Sequence, residues 1–247
     1  MKIILLGFIA SLLAGLATSL GALPVFFLKS VSKKLYSLLL GFSAGIMLSA
    51  SFFSLLLPAL EKGDIYQVSF GFLLGALFLR FSDKLIPHQH FLKGKEGSSS
   101  HLRRVFLFIL AIAIHNFPEG LSVGVGFGTG QLGKALALAI GIGLQNIPEG
   151  TAVALPLRTQ GYSKGFSFYI ATLTGLVEPL GGLLGVTLVV LFSKVLALTL
   201  SFAAGAMVYV ISAEIIPETH REGFGKIATA GLIIGFIFMM VLDTIFK

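Results

Sequence analysis

Long apolar runs separated by short polar breaks organise this chain from end to end. Eight apolar stretches recur, at roughly 3–28, 34–60, 66–84, 104–128, 132–156, 165–193, 195–217 and 225–246. Each approaches or exceeds the ~20 residues that an α-helix needs to cross hydrocarbon. The breaks read KSVSKK, EKGD, PHQHFLKGKEGSSSHLRR, TGQLGK, RTQGYSK, SK and ETHREGFGK, all polar or charged. This pattern predicts an all-α polytopic membrane protein with eight transmembrane helices. The first stretch opens like a secretory signal, with Lys2 before an apolar run. It continues through LPVFFL to Lys29, longer than a signal core, and is read as a span.

Composition agrees. The chain is 55% hydrophobic and 12% charged, with mean hydropathy +0.96, and 247 residues cannot bury that much apolar surface in a soluble core. Thirty glycines suit close helix packing in lipid. The absence of cysteine excludes disulfides and thiolate metal sites.

Charge then sets orientation. The formal charge of +7 does not indicate nucleic acid, because the cations sort by connection. Lys29, Lys33, Lys34, Lys84, Lys93, Lys95, Arg103, Arg104, Arg158, Lys164, Arg221 and Lys226 lie in or beside the odd-numbered connections. Lys2, Lys62, Lys134, Lys194 and Lys247 lie on the other side, and Arg80 falls inside a span. Positive-inside bias makes the odd connections cytoplasmic and both termini extracytoplasmic, in a multi-pass protein of the plasma (inner) membrane. The whole of 1–247 reads as one transmembrane domain in a lipid bilayer. Its connection 85–103, rich in Gly, Ser and Lys, is expected to be a mobile cytoplasmic loop.

Two of the spans carry residues that lipid does not tolerate cheaply. Residues 115–120 read HNFPEG and residues 145–150 read QNIPEG. At 1.5 Å per residue, His115 lies about 16 Å from the cytoplasmic start of its span. Gln145 lies about 20 Å from the outer start of its own, and Glu178 and Met47 about 20 Å from the cytoplasmic starts of theirs. In a core ~30 Å thick, four helices thus bring metal-capable side chains near the midplane. His115 and Glu119 are spaced i, i+4 and Asn116 and Glu119 i, i+3; Gln145, Asn146 and Glu149 repeat both spacings. Each carboxylate can therefore serve two adjacent points, which makes a two-cation site plausible. Pro118 and Pro148 free the carbonyls of Ile114 and Leu144, an irregularity tolerated where it is packed in protein or lines a wet cavity.

Charge balance selects the ligand class. Glu119, Glu149 and Glu178 are deep, and no Lys or Arg shares their depth. Carboxylates with an imidazole and amides suit a divalent transition metal. Zinc leads, and carboxylate-rich ligation also admits iron, manganese, cobalt and cadmium. Met47 reads equally well as packing or as a thioether ligand.

These residues resemble the ZIP (Zrt/Irt-like) family of metal transporters. The resemblance rests on His-Asn-x-Pro-Glu-Gly in the fourth span, x-Asn-x-Pro-Glu-Gly in the fifth and Glu178 in GLVEPLGG. It spans essentially the whole chain, and GFSAGIML and VISAEIIPETHREG are similar to the bacterial GufA-type branch. The resemblance implies a binuclear metal site. One metal would be held by His115, Glu119, Gln145 and Glu149, with Met47 as a further ligand. The other would use Asn116, Glu119, Asn146, Glu149 and Glu178. Many relatives carry histidine where this chain has Gln145. The resemblance also implies metal uptake toward the cytoplasm, without a separate cofactor, by an elevator-like alternating-access motion.

Other polar residues suggest accessory roles. Glu214, Glu218 and His220 at the cytoplasmic end of the seventh span read as an exit relay. His88, His90 and His101 fall in the 85–103 loop, where they either receive metal or belong to a solvated basic segment. Asp243, Glu61 and Asp64 lie toward the outer side, either attracting cations or sitting in headgroup water. An intramembrane metal-dependent enzyme and a metal-selective channel are the alternative classes. Against the enzyme, HExxH is absent, with Asn116 where the catalytic Glu would stand. The oligomeric state is open, with a homodimer among the states allowed.

Overall fold

A computed structural model describes residues 2–85, 98–220 and 223–246, and among these every regular element is helical. The elements are α1 (Lys2–Ala22), α2 (Lys33–Ser49), α3 (Leu57–Lys62), α4 (Ile65–Leu85), α5 (Ser98–Gly128), α6 (Leu132–Thr159), α7 (Lys164–Gly175), α8 (Glu178–Leu191), α9 (Leu196–Val210), α10 (Ile216–His220) and α11 (Gly225–Ile245). They form eight helical rods, because α2 with α3, α7 with α8, and α9 with α10 follow one another with little or no loop.

Local chemistry explains where the rods begin and end. Ser32 caps α2 by accepting from the Leu35 N–H at 3.2 Å, and Ser163 caps α7 through Phe166 at 3.2 Å. Asp64 Oδ1 accepts from the N–H groups of Tyr66 and Gln67 at 2.9 Å, opening α4. Gly130, at φ +78°, turns the chain between α5 and α6, in a region few other residues adopt. Helix α5 begins at Ser98, six residues before the apolar pattern does. The rest of the expected 85–103 loop, residues 86–97, lies outside the described residues and includes His88 and His90.

Among the described residues, six rods are long and apolar enough to cross a membrane: Lys2–Phe26, Lys33–Lys62, Ile65–Ser82, Lys164–Leu191, Leu196–His220 and Gly225–Ile245. The other two, α5 and α6, are 31 and 28 residues long and carry the paired motifs. In α6 the polar run Gln145–Glu149 holds down the apolar average of an otherwise lipid-compatible helix. Both helices run unbroken through Pro118 and Pro148. The bundle is inverted relative to a soluble protein. Leu13, Tyr66, Phe70, Leu180 and Ile234 are exposed, while Asn116, Gln145, Asn146 and Glu178 are fully buried. Such a molecule is at home in hydrocarbon, and it is a polytopic membrane protein.

Packing sorts the rods into two groups. In one, α1 packs on α6, α8, α5 and α7, and α5 lies along α8. In the other, α2 pairs with α11 and α4 with α9, and α3, α10 and the two π segments described below fill the joins. The pairs close on glycine. Gly41 and Gly45 of α2 abut the carbonyls of Ala228 and Leu232, and Gly231 and Gly235 of α11 abut those of Leu38 and Phe42. Gly75 and Gly205 do the same between α4 and α9, and Gly120 and Gly181 between α5 and α8. A Cβ at any of these would overlap backbone.

Between the groups, α2 meets α6 and α5 meets α9. Contact there is softer: Gly141 of α6 faces the sulfur of Met239. The exception is Gly133, which lies against the Phe246 carbonyl at one end of the bundle.

Three irregularities were not foreseen in the apolar pattern. The second rod widens to a π-helix over Ala50–Leu56 and the seventh over Ile211–Ile215. Proline follows each, at Pro58 and Pro217, and its missing N–H disrupts the i to i−4 ladder there. The sixth rod breaks at Leu176 and Val177, so that Glu178 opens a new helix. Phe192 and the 3-10 turn Ser193–Val195 then join α8 to α9.

Candidate metal centre

Helix α6 supplies the middle of the site. Gln145 Nε2 donates to Glu119 Oε2 at 2.7 Å and to Asn146 Oδ1 at 2.6 Å. Asn146 Nδ2 donates to Glu178 Oε1 at 2.6 Å and to the Ala14 carbonyl of α1 at 2.8 Å. From the facing group, the Ser43 hydroxyl of α2 donates to Gln145 Oε1 at 2.7 Å. One hydrogen-bond network therefore joins α2, α6, α5, α8 and α1.

Backbone packing sets the positions of its carboxylates. Gly120 follows Glu119 and abuts the backbone carbonyl of Glu178, which draws α5 and α8 together at this level. Glu178 is the first residue of α8, where the N-terminal end of the helix dipole favours a carboxylate. Gly175 and Pro179 flank that break and were the signal in the sequence for it.

His115 makes a second link between the groups. Its Nε2 lies 2.7 Å from Glu214 Oε1, and Glu214 sits in the π segment Ile211–Ile215. Glu149, one turn beyond Gln145, is only partly buried and lies within electrostatic range of His115, Ser43 and Glu214. Met47 is fully buried one turn beyond Ser43 on α2.

The most telling atoms are those without partners. Asn116 is fully buried, and neither its amide oxygen nor its amide nitrogen has a hydrogen-bond partner among the described residues. Glu119 Oε1 and Glu178 Oε2 are likewise unmet. A buried polar group left unpaired costs about 1–3 kcal/mol, more when charged. No Lys or Arg is buried among the described residues, so no protein cation offsets the carboxylates. The three unmet oxygens are acceptors, the chemistry that a cation recruits. As they stand, no three His, Asp or Glu side chains among the described residues form a group that could hold a metal ion. The amides of Gln145 and Asn146 currently occupy one oxygen each of Glu119 and Glu178.

The accessory residues separate. Glu214, expected in an exit relay, reaches the centre through His115. Glu218 and His220 lie farther on, in α10, where His220 Nδ1 is 3.0 Å from Thr219 Oγ1 and from the Ile216 carbonyl. Asp243 is buried and accepts from Ser54 Oγ at 2.9 Å. Glu61 is exposed at the end of α3, and exposed Asp64 serves as the cap of α4. The His101 side chain lies outside the described residues. Sequence reasoning missed Ser43 and the Ala14 carbonyl; the signal for Ser43 was its place one helical turn before Met47.

Carboxylates, amides and an imidazole where two helix groups meet, inside an apolar shell, define a membrane protein with a buried polar centre. Comparison with known proteins gives its family. The family model described as ZIP Zinc transporter matches residues 88–243, and the chain belongs to the ZIP family, of the GufA type. It is 48% identical to the zinc transporter GufA of Myxococcus xanthus, covering 96% of this chain and 97% of that protein. It is 44% identical to the zinc transporter ZIPB of Bordetella bronchiseptica, over 92% of this chain and 77% of that one. Human zinc transporter ZIP11 is 36% identical over 92% of this chain and 93% of its own length. The family is one of transporters, not enzymes.

Proposed function

We propose that this chain carries divalent transition-metal ions, zinc foremost, across the plasma (inner) membrane toward the cytoplasm. Two adjacent ions bind, one at His115, Glu119, Gln145 and Glu149 with Met47, the other at Asn116, Glu119, Asn146, Glu149 and Glu178. The observation that carries this reading is the set of buried acceptors without partners at Asn116, Glu119 and Glu178. The names of the relatives favour zinc. Iron, manganese, cobalt and cadmium are further substrates that the donor set admits.

The residues in place suggest how an ion is accepted. Gln145 and Asn146 give N–H groups to Glu119 and Glu178, and a half-turn of each amide would present carbonyl oxygen instead. Those amides act as placeholders that keep buried carboxylates solvated between cargoes. His115 must leave Glu214 to use Nε2 for an ion, so loading breaks a tie between the two helix groups.

That coupling favours a carrier over a channel. The groups are locked internally by glycine against carbonyl and meet each other through softer side-chain contacts. Two rigid bodies with a compliant interface suit an elevator-like displacement. We assign eight spans with both termini extracytoplasmic, following the distribution of basic residues.

Uptake by reconstituted vesicles, with zinc competed by Cd, Fe, Mn, Co and Ni, tests the proposal. Saturable zinc uptake, lost in Glu149→Ala with normal insertion, is the expected result. Uptake that never saturates would favour a channel, and absence of divalent flux from well-folded protein would sink the reading.

A further inference from the structure

The far end of α6 borders an open surface cleft, apart from the carboxylates. Its volume is about 360 Å³, and Lys29, Ser30, Arg158 and Thr159 line it. Arg158 lies nine residues beyond Glu149 on the same helix, about 14 Å along the axis.

Its chemistry is that of an anion site. The segments that bound it, 22–34 and 156–165, contain Lys29, Lys33, Lys34, Arg158 and Lys164 and no acidic residue. Arg158 Nη1 donates to the Tyr162 carbonyl at 3.1 Å and so helps close α6. Its Nε is shut off from solvent and has no acceptor among the described residues. Lys164 is engaged elsewhere, donating to the Phe26 carbonyl at 2.8 Å.

The surroundings say where an anion would come from. Phe27 is 86% exposed and Leu28 46% exposed, immediately before Lys29. Such side chains belong among acyl chains, which sets the Lys29 ammonium at headgroup level. Near the other wall, Tyr162 stacks on Phe166 with ring centroids 5.0 Å apart, another amphipathic marker of the interface.

We propose that this cleft binds the phosphate of an anionic phospholipid. Arg158 offers a planar fork of donors, Lys29 a point charge, and Ser30 a hydroxyl. Placement in the cytoplasmic leaflet rests on the orientation proposed above. The position gives the lipid a role. Lys29 lies in the connection 27–32, which joins α1 of one helix group to α2 of the other. Arg158 ends the helix that carries Gln145 and Glu149. A headgroup held by both couples the metal-bearing helix to a hinge, and makes zinc flux depend on anionic lipid.

Lipid retention read by native mass spectrometry on the full chain, with no metal added, is the primary test. Phosphatidylglycerol should be retained over phosphatidylcholine, and Lys29→Gln and Arg158→Gln should each weaken retention about fivefold. Arg158→Lys should fall between, keeping charge and losing the fork. Lys29 is exposed in a connection, so Lys29→Gln reports even if Arg158→Gln fails to fold. Zinc flux should be higher in vesicles containing phosphatidylglycerol than in pure phosphatidylcholine, and Lys29→Gln should blunt that difference. Displacement of the lipid by inorganic phosphate would keep the phosphate site and overturn lipid as its source. Equal retention of the two lipids by the unmodified chain would overturn the proposal, as would undiminished phosphatidylglycerol retention in Lys29→Gln. Because retention is read without metal, its failure is distinct from failure of the transport reading.

Discussion

Replacing Gly205 by alanine should unlock one helix pair while leaving the polar centre chemically intact. Gly205 of α9 lies against the Phe72 carbonyl of α4, and Gly75 of α4 lies against the Phe202 carbonyl in return. A Cβ at Gly205 would overlap the carbonyl oxygen, and backbone cannot swing aside as a side chain does. Overpacking of this kind costs about 1–3 kcal/mol. Alanine returns up to about 1 kcal/mol through its better helix propensity. The net expectation is a loss of about 1–2 kcal/mol, or a fall in Tm of roughly 2–8 °C for a chain of this size. Gly141→Ala is the control, because its Cβ meets the Met239 sulfur at the end of a flexible side chain. That variant should lose less stability than Gly205→Ala, because a methionine side chain can shift where a backbone carbonyl cannot. It should instead lower maximal zinc flux, because the contact it tightens lies between the groups. Scanning calorimetry in detergent and vesicle uptake on the same preparations read both quantities. A Gly205→Ala variant as stable as the unmodified chain would refute the locked-pair reasoning. So would a Gly141→Ala variant that loses as much stability as Gly205→Ala.

The polar centre yields further expectations. Glu149→Ala and His115→Ala should each abolish or greatly reduce zinc uptake with insertion intact; normal uptake by a well-expressed Glu149→Ala variant would sink the two-ion site. Gln145→His should lower the apparent Km for zinc with maximal flux unchanged or reduced, since imidazole suits zinc better than an amide oxygen does. Parallel manganese uptake checks it: an unaltered zinc-to-manganese preference would remove Gln145 from the ligand set. Ser43→Ala should cost about 1 kcal/mol by deleting the hydrogen bond to Gln145 Oε1 and should shift zinc Km more than maximal flux. A Ser43→Ala variant with an unmoved Km would show that the hydroxyl does not orient the amide.

The rods were legible because lipid demands long apolar runs, and their ends because capping is local. KSVSKK contains the Ser32 cap, and TGQLGK contains the Gly130 turn. That Glu119 and Gln145 would face each other was legible because i, i+3 and i, i+4 spacings define a helix face. What escaped depends on distances through space. Nothing near Glu214 in the chain announces that a π segment brings it to His115. Glu178 reads as mid-helix until Gly175 and Pro179 are weighed as a break against an unbroken apolar background. The division into two groups rests on which glycine meets which carbonyl, and a sequence shows thirty glycines without their partners. Ser98 begins a helix that hydropathy places at 104, because Ser-Ser-Ser-His is polar without being a helix breaker.

The short join from α8 to α9 has a mechanical consequence. It crosses from one helix group to the other using only Phe192 and the turn Ser193–Val195. Four residues drawn fully straight reach about 14 Å, and the turn holds them well short of that. On the displacement proposed above, the join is therefore a tether that limits the travel. At that end of the bundle the groups cannot separate by more than the slack in four residues unless a helix end frays. On that proposal a larger displacement tilts about this point, with most of the travel at the other end of the bundle, where the 27–32 connection is longer.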